Sequence, residues 1–166
     1  MRQRTLKVLL ALCAGVALHV LASDAKTFDN KETDMNHHAR GPFDVTLAPL
    51  PPYNDDADAK LGRFSLDKRF HGDLEALSKG EMLSSGSAKD SGGYVAIERV
   101  TGALGGRKGS FALQHNATMT HGVPYLNIIV VPGSGSGELA GLSGKMNIII
   151  AEGGKHSYEF EYSFGE

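Results

Sequence analysis

Six residues that can do chemistry stand where the sequence otherwise reads as the apolar face of strands. Glu98 alternates with Tyr94, Ala96 and Val100, and Lys68 with Phe64, Leu66 and Phe70. His115 follows Phe111 and Leu113, while His156 and Tyr158 lead a run that continues through Phe160, Tyr162 and Phe164. Alternate residues of a strand share one face, so these polar groups are expected on the inside of a sheet. A glutamate walled by apolar groups has its carboxyl pushed up and can donate a proton near neutral pH. The plainer expectation is that Glu98 and Lys68, or Glu98 and a tyrosine hydroxyl, satisfy one another within the core. Val95, Ile97 and Arg99 form an equally good inner face, which leaves the direction of Glu98 open. Gln114 and His115 are neighbours, and only one of them can point inward.

The other motifs fall away on inspection. Neither Gly133–Gly137 nor Gly105–Ser110 fits a phosphate loop or a dinucleotide fingerprint, and no G-x-S-x-G elbow occurs. His71-x-Asp73-x-Glu75 places three possible ligands on one strand face, but beside Lys79 it reads as an exposed charged face rather than a metal site. No cofactor and no metal is expected. His37-His38 reads as part of a solvated polar segment.

The elements that must position the six residues are strands. Tyr94–Thr101 and Ser110–Met119 flank Gly105-Gly106, a pair suited to the positive φ angles of a tight hairpin. The pattern Gly102-x-Leu104-x-Gly106-x-x-Gly109-x-Phe111-x-Leu113 recurs 35 residues on as Gly137-x-Leu139-x-Gly141-x-x-Gly144-x-Met146-x-Ile148. The echo sets His115 opposite Ile150, and it favours His115 over Gln114 for the inner face. Phe43–Leu47, Arg63–Phe70 and His156–Phe164 add further strands. Leu74–Met82 fits either a helix or a strand, and Gly80 tips it to strand because glycine costs a helix about 1 kcal/mol relative to alanine. Leu126–Val131 and Met146–Ile150 are almost continuously apolar. A sheet wet on one face should alternate, so their outer face is expected to be covered, and self-association at Ile128–Val131 or Ile148–Ile150 is the expected cover.

The chain has 166 residues with 17 Lys+Arg and 19 Asp+Glu. Residues 1–22 read as a signal peptide: Arg2, Arg4 and Lys7 precede the apolar run Val8–Leu21. That run is shorter than the roughly 20 residues a membrane-crossing helix needs, and no membrane association is expected after cleavage. Removing it takes three basic residues and the sole cysteine, Cys13, leaving 14 basic against 19 acidic residues and no disulfide. Without a basic cluster, nucleic acid is an unsupported partner. Residues 23–40 read as a flexible polar linker, and 41–166 as one domain in a secreted or periplasmic protein.

Gly62–Lys68, Ser78–Leu83, Gly93–Glu98, Leu113–His115, Gly137–Gly144 and His156–Phe160 follow one another along the chain. On these stretches the sequence from about Gly41 onward resembles the bacterial family known as domain of unknown function 3224. It implies a closed antiparallel eight-stranded β-barrel, similar to those of allene oxide cyclase and dirigent proteins. It implies fold more than function. Three functional expectations stand. One is a barrel that binds a small apolar ligand, with Glu98, His115, His156, Tyr158, Tyr94 and Lys68 as its polar contacts. Another is a cyclase or isomerase that resembles allene oxide cyclase in using a glutamate. A structural barrel with a filled interior is the third. On the binding reading, Glu98→Gln is expected to weaken binding and leave the melting temperature nearly unchanged.

Overall fold

The computed structural model describes residues 37–54, 56, 60–88 and 90–165. The expected signal peptide and the part of the expected linker before His37 lie outside these residues. Eight long strands make up the fold: β1 (His37–Leu50), β2 (Leu61–Phe70), β3 (Leu74–Ala88), β4 (Ser91–Leu104), β5 (Arg107–Thr120), β6 (Val123–Val130), β8 (Leu142–Ile150) and β9 (His156–Phe164). A two-residue strand, β7 (Ser136–Gly137), pairs with β5 beyond the end of β6. Every neighbouring pair is antiparallel, and β4–β5 and β1–β9 pairing close the sheet into a barrel. Closure removes the exposed edges that an open sheet would present.

The glycine pair behaves as its sequence demands. Gly105 and Gly106 both have positive φ, 56° and 84°, and reverse the chain between Leu104 and Arg107. Leu74–Met82 is strand throughout, paired residue for residue with β2 and β4. β1 begins at His37, well before Phe43. His38–Glu161 and Arg40–Glu159 are register partners, so the end of the expected linker is barrel wall. The alternation in Ala39, Gly41 and Phe43 is too short and too small-sided to announce a strand without β9 beside it.

Antiparallel order puts alternate connections at opposite ends of the barrel. The end carrying the β2–β3, β4–β5 and β6–β8 connections is filled with side chains. Phe70, Leu74, Val100, Leu104, Phe111, Leu139, Met146 and Phe160 are all fully buried there. Phe111 and Phe160 stack at 5.9 Å, and Phe70 meets Tyr158 edge-on at 5.5 Å, both favoured ring arrangements. The opposite end, nearer the β3–β4, β5–β6 and β8–β9 connections, is open. Eight strands enclose just enough space for side chains or for one small ligand. This barrel divides its interior between the two.

That division accounts for the near-continuous apolar runs. Ile128 and Val130 are buried inside, and Ile148 and Ile150 face the open half of the interior. Asn127, Lys145 and Asn147 take alternate positions together with Ile129 and the exposed Ile149, so the outer face of these strands is mixed rather than wholly apolar. The larger exposed apolar group on the barrel exterior is Leu77, Leu83, Val95 and Ile97, on β3 and β4.

Gly80 is the register partner of Glu98, and a Cβ on it would lie 2.6 Å from Glu98 Cβ. Gly80→Ala should therefore destabilise the fold by about 2–4 kcal/mol, as overpacking and displacement of a buried charge combine. Urea denaturation of the two proteins measures it. A loss under about 0.5 kcal/mol would show that β3 yields freely at this point.

Candidate functional site

The floor of the open half is a row of polar side chains across four consecutive strands. Lys68 on β2 is the register partner of Ser78 on β3. Ser78 stands one inward position from Gly80, the partner of Glu98 on β4. His115 on β5 pairs with Ala96, the next inward residue of β4. Diagonal neighbours on one face of a sheet are within side-chain reach. All four side chains are buried, Glu98 completely.

Glu98 is the hub. Its Oε1 accepts from Lys68 Nζ at 2.7 Å and meets His115 Nε2 at 2.9 Å, while Ser78 Oγ donates to Oε2 at 2.5 Å. Burial pushes the carboxyl up. The His115 hydrogen bond and then the charge of Lys68 outweigh it and hold the group at about 2. Glu98 thus points inward and remains ionised. It is not the proton donor with a raised pKa that an apolar wall alone would make. The expected Glu98–Lys68 satisfaction is what the core contains. With Nε2 facing a carboxylate oxygen, His115 carries its proton on that nitrogen.

Lys68 Nζ also lies over the rings of Phe43 at 5.4 Å and Phe70 at 5.6 Å, contacts that favour a desolvated cation. The Phe43 ring joins the polar floor to the wall of a cavity of about 290 Å³. The wall is Val45, Leu47, Leu66, Met82, Leu126, Ile148 and Ile150, with Ala96 leaving room on β4. Lys68 and His115 border the cavity, and Tyr94 and His156 sit nearer its mouth. His156 leans on Phe43 with ring centroids 5.2 Å apart. The Tyr94 hydroxyl is pushed up, first by burial and then by the charge of Glu98, and stays protonated.

The six residues singled out in the sequence therefore separate. Lys68, His115, Tyr94 and His156 share one cavity. Glu98 lies behind its floor and orients two of them. Tyr158 belongs to the closed end: Leu74 N–H donates to its hydroxyl at 2.8 Å, and the hydroxyl donates to His71 carbonyl oxygen at 3.0 Å. Burial pushes this phenol up to about 12, against the opposing Leu74 hydrogen bond. Gln114 is exposed on the outside. Sequence reasoning passed over Ser78, whose signal was a small polar residue on an inner face two positions from Gly80. It also passed over Ile148 and Ile150 as cavity wall.

His71 Nδ1 lies 3.9 Å from Glu75 Oε2, but Asp73 is not grouped with them. Asp73 accepts from Arg40 N–H and Glu75 from Gly72 N–H, so both carboxylates brace the β2–β3 turn. Among the described residues, no three His, Cys, Asp or Glu side chains are grouped to hold a metal ion.

Glu98→Gln should cost about 3–5 kcal/mol of stability, because it strips Lys68 of its buried counter-charge. This reverses the unchanged melting temperature expected from sequence. The same pairing sets an acid response. A carboxyl held below its ordinary 4.5 stabilises the fold above that pH, and the contribution is lost as pH falls toward 2. Denaturation midpoints of the wild type should drop across that window by more than those of Glu98→Gln. Parallel pH profiles would show that Glu98 is not ionised in the folded protein.

No curated protein matches this chain. A crystal structure of a protein with unknown function from the DUF3224 family, from Shewanella oneidensis MR-1, is similar at 51% identity and a TM-score of 0.74. The similarity covers 78% of this chain and 98% of that one. The sequence profile described as "Protein of unknown function (DUF3224)" matches residues 39–162, so the chain belongs to this family.

Proposed function

We propose that the protein is an exported barrel that binds one small, mostly apolar molecule in the open half of its interior. One observation carries the reading: half of a closed eight-stranded barrel is left unfilled above a buried polar row. Small-ligand sites combine an apolar wall with a few fixed polar groups, and a cavity of about 290 Å³ lies near the lower end of their sizes. The wall is built of Val, Leu, Ile and Met at positions where solvent would otherwise favour polar residues. Leu47 is 48% exposed and Ile150 65%, yet both face the opening. Lys68 and His115 act at the floor, Tyr94 and His156 near the mouth, and Glu98 as the positioning residue behind them. Export rests on the leader-like Arg2–Ala22 segment. Cyclase or isomerase chemistry, another reading expected from sequence, would fall to this same cavity. The ionised, fully hydrogen-bonded Glu98 counts against a glutamate donating the proton.

N-phenyl-1-naphthylamine, a neutral apolar dye that brightens in dry surroundings, tests the reading. Its fluorescence should rise saturably with the wild-type protein. Ile148→Trp, which fills the cavity from its wall, should weaken the dye by about tenfold or more while the thermal midpoint stays within a few degrees. Undiminished binding to the folded variant, or no saturable signal with the wild type, would overturn the proposal.

A further inference from the structure

The chemistry left unused on the cavity floor narrows the class of ligand. Glu98 is saturated, with Lys68, His115 and Ser78 on its two oxygens. Lys68 retains N–H groups beyond the one given to Glu98, because an ammonium has three donors. His115 is held with Nε2–H toward Glu98, which leaves Nδ1 as a lone-pair acceptor. Among the described residues Nδ1 takes no hydrogen bond, although the side chain is only 3% exposed. No described side-chain nitrogen or oxygen is both sealed from solvent and unpartnered. Nδ1 therefore reaches open space, and the space His115 borders on the barrel interior is this cavity. A donor residue and an acceptor residue thus border one cavity, each held by the same carboxylate oxygen.

We infer that the cavity selects an uncharged apolar molecule carrying one hydroxyl group, which accepts from Lys68 Nζ and donates to His115 Nδ1. The inference rests on the binding reading above and specifies its ligand. A hydroxyl is the smallest neutral group that answers both partners at once. An ether or ketone only accepts, leaving Nδ1 unpaired in a desolvated place. A carboxylate answers Lys68 but brings a second negative charge beside Glu98, whose charge Lys68 already balances. An ammonium meets Lys68 as a like charge. The remaining polar groups facing the floor do not change this balance: Ser78 is committed to Glu98, and Tyr94 is a protonated phenol. His156 stands off toward the mouth against Phe43.

Four ligands of one shape separate the possibilities: naphthalene, 2-naphthol, 2-methoxynaphthalene and 2-naphthoate, titrated calorimetrically into the full-length folded protein at neutral pH. 2-Naphthol should bind about tenfold or more tighter than 2-methoxynaphthalene, with 2-naphthoate the weakest of the four. In His115→Phe the advantage of 2-naphthol over its methyl ether should vanish while naphthalene binding persists. Where that variant does not fold, the wild-type series alone decides. Equal affinities for the hydroxyl and methoxy compounds overturn the inference and leave the cavity reading standing. So does 2-naphthoate binding tightest, which would mark an anion site. Failure of all four and of the naphthylamine dye removes the cavity reading and this inference together.

Discussion

A carboxylate with no exposure to water sits at the middle of this barrel, and the rest of the interior is arranged around keeping it charged. An isolated ion there would be costly by many kcal/mol, and breaking a buried pair costs about 3–5 kcal/mol even after relaxation. Glu98 is kept ionised by three donors drawn from three other strands. The arrangement also constrains pairing. A one-residue slip of β2, β3 or β5 would turn Lys68, Ser78 or His115 to the outside and leave Glu98 short of a donor. Apolar strands tolerate sliding far better than a network in which each member has one workable position. The polar row thus fixes the register of four strands, besides forming the floor of a cavity.

The row divides the barrel physically as well. Toward one end the chain supplies Phe70, Phe111, Phe160 and Met146, large enough to fill an eight-stranded interior, and Leu139 and Leu142 pack against the same cluster. Tyr158 ties that end together by bonding backbone groups of the β2–β3 turn, so its hydroxyl is a fastening and not a ligand contact. Toward the other end the inward side chains are smaller or set back. Ala96 is the register partner of His115 and of Met82, and a larger residue there would reduce the room above the floor. Lys68 belongs to both halves, flanked by the rings of Phe43 and Phe70 with its ammonium on Glu98.

Much of the architecture was legible because strand alternation and glycine turns are local signals. The β4–β5 hairpin, the strand at Leu74–Met82 and the inward aromatic face of β9 all follow from short-range rules. Glu98 was harder. Tyr94-Ala96-Glu98-Val100 and Val95-Ile97-Arg99 both carry apolar residues, and Ile97 turns out 58% exposed on the outside. The deciding fact is Gly80 across the strand, whose missing side chain makes room for the carboxylate, and register between strands is not a local property. The apolar runs of β6 and β8 were ambiguous for a related reason. An exposed isoleucine normally calls for a covering partner, but Ile150 is exposed to the mouth of a cavity inside its own barrel. Composition cannot distinguish those two surfaces.

The same network limits what the cavity can do. A carboxyl held at about 2 does not exchange protons near neutral pH, and Lys68 is committed as its counter-charge. Any proton movement at the floor therefore falls to His115, the one group there with an open nitrogen. A carboxylate behind an imidazole fixes which ring nitrogen carries the proton. A hydroxyl seated between Lys68 and His115 would meet a cation at its oxygen and a base at its proton. Recognition and deprotonation of such a group draw on the same two atoms. What separates a binding protein from an enzyme here is the ligand's own acidity and what its oxygen can do next. The barrel supplies the polarity and leaves the chemistry to the molecule it holds.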